Sequence, residues 1–169
     1  MTIRLKNRII ASIITRFPSL SKGMINSYNP IESIDIPWTP MSKPLSLCKI
    51  SIVTTAGVHV QGQTGFDMLD KSGDPTMRVI NISDLKRLMI THDYYDHTDA
   101  DRDINIVFPI DRLIEFEKEG VIGKVSQRHF GFMGHIIGEH INTLINVSAK
   151  ELINNLKEDM VDVVILTPG

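Results

Sequence analysis

The chain has 169 residues, 42% hydrophobic and 22% charged, with a net charge of −2. That balance suits one globular core, leaves no basic footprint for nucleic acid, and offers no apolar run near the roughly 18 residues of a membrane span. The single cysteine, Cys48, excludes an intramolecular disulfide framework and fits a reducing compartment such as the cytoplasm. It opens the apolar run Ile50-Ser-Ile-Val53 and reads as a small buried hydrophobe rather than a catalytic thiol.

The chain opens with Arg4, Lys6, Arg8, Arg16 and Lys22 and has no acid before Glu32. Leu5, Ile9, Ile13 and Phe17 recur at helical spacing, predicting a basic amphipathic helix over Ile3 to Phe17 that Pro18 closes. Packing on its own domain is the default role for such a stripe; a transit peptide or a membrane-surface helix are the alternatives. Residues 18–47, rich in Ser, Pro and Asn, read as an extended arm whose Trp38, between Pro37 and Pro40, docks on the domain surface. The chain thus divides into a helix and arm over 1–47 and an α/β domain over 48–169.

Lys49 to Thr55 is a β-branched strand feeding a turn at Ala56-Gly57. Gln61 to Asp74 is a polar excursion, followed by short strands at Arg78–Ile82 and Leu88–Thr91. Ile104–Phe108 reads as a further strand, and Pro109 starts a helix over Ile110–Glu119 that stops at Gly120. Another strand lies within Val121–Phe132. The capping box Ser148-x-x-Glu151 opens a helix that turns Leu152, Ile153, Leu156 and Met160 inward. Val161–Leu166 is apolar enough to be a strand covered on both faces. Strands alternating with helices predict an α/β fold: a mainly parallel, Rossmann-like sheet with flanking helices, incomplete at the C-terminus.

Three segments combine strand ends with ionisable groups. In Thr54-Thr-Ala-Gly-Val-His59, Gly57 permits a close backbone approach and His59 is a candidate for proton transfer, although a satisfied structural histidine is the commoner outcome. Thr91 to Asp103 holds His92, His97, Asp93, Asp96, Asp99, Asp101 and Asp103. Crowded carboxylates need cations, hydrogen bonds or solvent, so a metal site and a polar loop of helix caps and ion pairs weigh equally here. His92-Asp-Tyr-Tyr-Asp-His97 approaches the H-x-H-x-D-H signature of metallo-β-lactamase-fold hydrolases, with Tyr94 where a histidine ligand belongs. In Arg128-His-Phe-Gly-Phe-Met-Gly134, glycines alternating with aromatics predict a tight loop, and His129 is its best-placed ionisable group.

Taken in order, these pieces resemble one family: selenoprotein B of the glycine/sarcosine/betaine/D-proline reductases. The shared segments are Pro37-Trp-Thr-Pro40, Val53-Thr-Thr-Ala-Gly-Val-His59, Gly73-Asp-Pro75, His92 to Asp111, Glu119-Gly-Val-Ile-Gly123, His129-Phe-Gly-Phe-Met-Gly134 and Asp162-Val-Val-Ile-Leu-Thr-Pro-Gly169. The likeness covers roughly residues 37–169 and looks nearer to the shorter D-proline reductase-like members. It implies a redox selenocysteine, or in some members a cysteine, directly after the strand ending Thr-Pro-Gly, so that Gly169 is expected to be an artefactual end at a UGA codon. It further implies reductive cleavage of a carbon–nitrogen bond, with substrate held on a pyruvoyl group of a separate subunit. A selenolate attacks the α-carbon, the amine leaves, and a thiol resolves the adduct.

The expected cofactors are therefore selenocysteine and the partner's pyruvoyl group, with no metal. The expected partners are that pyruvoyl subunit and a thioredoxin-type thiol donor, in an oligomer without nucleic acid or membrane. The departing nitrogen needs a proton, for which His59, His97 and His129 are the candidates. Gly57, His92, Asp96, Asp101, Asp103 and Gly134 are expected to shape the substrate loop or its scaffold. The alternatives are a metal-dependent hydrolase using His92, Asp96 and His97, and a non-catalytic binding paralogue.

Overall fold

The computed structural model describes residues 3–21 and 39–168. Its axis is strand β1 (Lys49–Thr54), whose residues after Lys49 are all buried because both of its edges are paired. On one edge, Ile50–Thr54 runs parallel to Val163–Thr167. On the other, Lys49 and Ile50 pair with Lys124–Val125, and Val53 and Thr54 with Arg128–Gly131, again in parallel. Arg78–Asn81 closes the far side of that neighbour, antiparallel to it. In chain order these strands are β3 (Arg78–Asn81), β5 (Lys124–Val125), β6 (Arg128–Gly131) and β7 (Val163–Thr167). Strands β2 (Val58–Val60) and β4 (Leu88–Ile90) form a separate antiparallel pair. The architecture is α/β, with a mixed and mostly parallel sheet between helices.

Alternation along β1 sorts the core into two layers. Ile50 and Ile52 face Phe108, Ile110 and Leu113, the last two on helix α3 (Ile110–Lys118), beside Val163 and Ile165 of β7. Val53 and Val164 face the other way with Phe130 and Phe132, under Leu152 and Leu156 of helix α5 (Ala149–Glu158). The register against β1 slips by two residues between β5 and β6. The His129 imidazole fills that bulge, its Nδ1 accepting the Ile52 N–H at 3.0 Å in place of a backbone carbonyl.

Several sequence expectations are corrected. Ile104–Phe108 is a turn rather than a strand: the Asp103 carboxylate accepts the Asn105 N–H at 3.0 Å, and the Phe108 N–H returns to the Ile104 carbonyl. Ser148 caps nothing, because it sits at φ −67° and ψ −38° inside a longer helical run. That run starts at α4 (His140–Thr143) and passes through a π-turn at Leu144–Ser148 into α5. Of the residues expected to face inward, Leu152 and Leu156 do, while Ile153 and Met160 are exposed. β7 is packed on both faces, by Val163 and Ile165 on one and Val164 on the other, but among the described residues it is an edge strand and its Leu166 is 74% exposed.

Helix α1 (Ile3–Arg16) forms as predicted, but it docks through its polar side. Leu5, Ile9, Ile13 and Phe17 remain exposed and only Ala11 is buried, because Arg4 and Ser12 reach the acidic Asp93–Asp101 loop instead. Cys48 is buried, as expected of a small hydrophobe. Trp38 lies outside the described residues.

Candidate functional site at the strand ends

The parallel strands deliver their carboxyl ends to one side of the sheet, where backbone hydrogen bonds lace the loops together. The Phe132 N–H donates to the Thr54 carbonyl at 2.8 Å, the Gly57 N–H to Phe132 at 2.9 Å, and the Thr91 N–H to Gly57 at 2.9 Å. The Thr55 N–H reaches the Thr167 carbonyl of β7 at 2.9 Å. The hydroxyls of Thr54 and Thr167 both donate to the Val107 carbonyl, at 3.0 and 2.7 Å. The segments starting at Thr54, Thr91 and Arg128, and the end of β7, therefore meet at one junction. The two threonine hydroxyls were not anticipated; a threonine as the last residue of each of two apolar strands was the available signal.

Two glycines make the junction possible. Gly57 sits at φ +74°, and a Cβ there would lie 2.4 Å from the Thr91 carbonyl oxygen and 3.1 Å from the His92 Cβ. A Cβ on Gly134 would lie 3.1 Å from the Thr55 carbonyl oxygen.

The histidines divide by environment. His92 is buried against the rings of Tyr94 and Tyr95. Its Nδ1 lies 3.1 Å from the Tyr94 N–H and its Nε2 3.3 Å from the Gly134 N–H. A neutral imidazole has one acceptor nitrogen, so the shorter contact carries the hydrogen bond. Burial, and then positive charge on His97 and His135, pushes the His92 pKa down to about 4. Burial does the same to His129, again to about 4. His59 is buried in β2, its Nε2 2.8 Å from the Thr91 hydroxyl and its Nδ1 3.2 Å from the Val60 carbonyl, and burial lowers its pKa. His97 differs: its Nδ1 pairs with Asp101 at 2.8 Å, its ring edge meets Tyr95, and it lines a cavity of about 360 Å³ with Arg8, Ser12 and Asp96 of the facing surfaces. Tyr95 ties this cavity back to the junction by donating its hydroxyl to the Ala56 carbonyl at 3.0 Å.

The acids of this segment other than Asp93 are engaged locally. Asp96 accepts the Thr98 N–H and hydroxyl, which lowers its pKa and starts the short helix α2 (Thr98–Arg102). Asp99 meets Arg102, and Asp103 accepts from Asn105. Among the described residues no three His, Cys, Asp or Glu side chains converge as a metal-ligand set. Asp93, whose side chain is 2% exposed, takes both Nε and an η nitrogen of Arg4, at 2.7 and 3.3 Å. Sequence reading held both halves of this pairing, a basic helix and an acidic loop, without joining them. Replacing Arg4 by Ala is expected to leave a buried carboxylate unpaired, costing about 2 kcal/mol. Helix α1 should then be cleaved by protease before the rest of the chain, and Asp93→Asn should act similarly.

A second cavity, of about 380 Å³ and mainly apolar, opens between the junction and the π-turn, with Thr55, Phe132, Gly134, Leu144 and Leu152 in its wall. π-turns are frequent at functional sites.

This is an α/β protein whose strand-end loops bring buried histidines and an acidic segment to one end of the sheet. Residues 25–169 match the family described as glycine/sarcosine/betaine reductase selenoprotein B, and the chain belongs to that family. It is 36% identical over 133 residues to the D-proline reductase subunit gamma of Acetoanaerobium sticklandii, covering 78% of this chain and 53% of that one. It is 33% identical over 144 residues to the glycine reductase complex component B subunit gamma of Symbiobacterium thermophilum, covering 82% and 32%. Against the betaine reductase complex component B subunit beta of Peptoclostridium acidaminophilum the figures are 32% over 130 residues, 74% and 29%. The chain thus spans about half the length of the first relative and about a third of the other two. No solved structure matches. Among the described residues no helix is long and apolar enough to cross a membrane.

Proposed function

We propose that this chain forms part of a reductase subunit that, at full family length, cleaves a carbon–nitrogen bond of an amino acid or its derivative through a selenocysteine or cysteine. The observation that carries this reading is the family match over residues 25–169. The strand-end junction supports it. A redox residue following Pro168-Gly169 would leave a strand end held by the Thr55 N–H and by the Thr167 hydroxyl on Val107, beside the loops of Gly57, His92 and Gly134. Ligands gather at such ends in parallel sheets. Cys48 lies at the opposite end of β1 and is 1% exposed, so it is not a thiol for this chemistry.

A selenolate or thiolate in that position supplies a nucleophile at neutral pH. Replacing the C–N bond by C–H consumes two electrons, which a dithiol of thioredoxin type provides, and a proton must reach the leaving nitrogen. His97 is the candidate donor of the three: it lines a cavity, and Asp101 orients its ring. His59 and His129 instead spend a ring nitrogen on the backbone inside the protein. Substrate is held on a pyruvoyl group of a partner subunit, in a cytoplasmic oligomer.

The test is an assay of the family-length protein with its pyruvoyl partner, a dithiol, and glycine, sarcosine, betaine or D-proline. Dithiol-dependent release of the amine, or of the ring-opened acid from D-proline, is expected. His97→Gln should lower kcat about 100-fold with KM little changed. Turnover independent of dithiol but lost with a chelator would replace this reading by a hydrolase.

A further inference from the structure

The two edges of the sheet are finished differently. At β3 the outer edge is blunted: the Gln63 side-chain amide donates to the Val79 carbonyl at 2.8 Å, and Arg78 turns back onto the Thr64 carbonyl at 2.7 Å. Charged and polar groups of this kind keep an edge from recruiting another strand. β7 has none of these devices. Its sequence is Val-Val-Ile-Leu-Thr, with no charge, no proline and no bulge against β1, and among the described residues no strand pairs with its outer side.

The layer above β7 is unfinished too. Leu166 shares a face with Val164, yet it is 74% exposed. In the helical run over that layer, Leu152 and Leu156 reach the core while Ile145 and Ile153 stay 56% and 47% exposed. An uncharged open edge beside exposed apolar side chains is a surface built to be covered. The chain spans only 53% of the length of the D-proline reductase subunit it matches.

We infer that β7 is an interior strand in the working protein, its outer edge paired with a further parallel strand from the portion of family length that this chain does not span. A helix of that portion covers Leu166, Ile153 and Ile145. Parallel pairing follows from β1, β5, β6 and β7, which already run together, and parallel sheets are covered on both faces. The inference rests on family membership and on the edge itself, not on the redox reading, and stands or falls separately from it.

Hydrogen exchange of the peptide containing Val163–Thr167 tests it, comparing the 169-residue protein with the aligned peptide of the full-length D-proline reductase subunit gamma. The expected result is at least about 100-fold slower exchange in the full-length protein, because the strand then opens only with the core. In the 169-residue protein, Leu166→Lys should leave the melting temperature unchanged; lysine at the aligned position of the full-length subunit should lower it by several degrees. Equal exchange in the two proteins would overturn the inference. So would a concentration-dependent dimer of the 169-residue chain that protects β7 equally well, which would make a second copy the occupant.

Discussion

Acidification is expected to destabilise this protein before its carboxylates titrate. His92 and His129 are buried, and each places Nδ1 against a backbone N–H, so protonation would set two donors face to face. Their folded pKa values are near 4, against about 6.5 in an unfolded chain. The unfolded state therefore binds protons that the native state refuses. The stabilisation is fully present above about pH 6.5, is lost as pH falls toward 4, and changes little further below that. Each histidine contributes on the order of 3 kcal/mol, and together they rival the 5 to roughly 15 kcal/mol that a domain has in total. His59 pulls in the same direction. Urea titrations at pH 7.5, 6.0, 5.0 and 4.5 should show stability falling with a slope that approaches two protons. A flat profile down to pH 4.5 would mean that these rings are solvated and the junction is not packed as described.

A large effect of a single substitution is expected at Gly57, where the Thr54 and Thr91 segments cross. Gly57→Ala should cost about 3 kcal/mol, combining a left-handed backbone with a Cβ driven into the Thr91 carbonyl at 2.4 Å. Gly120→Ala is the internal control. Its φ of +72° is nearly the same, but nothing lies within 4 Å of the new Cβ, so about 1 kcal/mol is expected. The difference between the two isolates the close approach of the His92 loop from backbone strain alone. Equal costs would show that the loop can move aside.

Much of the fold was legible because its signals are local. The β-branched run at Lys49–Thr54 gave β1, and Pro109 and Gly120 bracketed α3. The failures were tertiary. Ser148 has the composition of a cap, but the helix had already begun at His140, so the hydroxyl is buried inside the run. Ile104–Phe108 has strand composition, yet Asp103 and Asn105 offered the backbone a turn first. The apolar stripe of α1 predicted burial, whereas the buried carboxylate of Asp93 drew the opposite face inward through Arg4.

At the site, sequence identified the three segments that meet but not how they share the work. His59 and His129 read as ionisable groups at strand ends; the fold spends the first on Val60 and the Thr91 hydroxyl and uses the second to repair a bulge. The hydroxyls of Thr54 and Thr167 offer a one-dimensional reading only their position, each closing an apolar strand. They acquire a role once β1 and β7 lie side by side and both reach Val107.

The most direct measurement is mass spectrometry of the protein isolated from its native host under selenium labelling, following the peptide that contains Val163–Pro168. The expected peptide continues past Thr-Pro-Gly into selenocysteine, or cysteine, with the selenium isotope pattern in the first case. A native peptide that carries neither residue near the end of β7 would contradict the reductase reading and leave a family member that binds without redox chemistry.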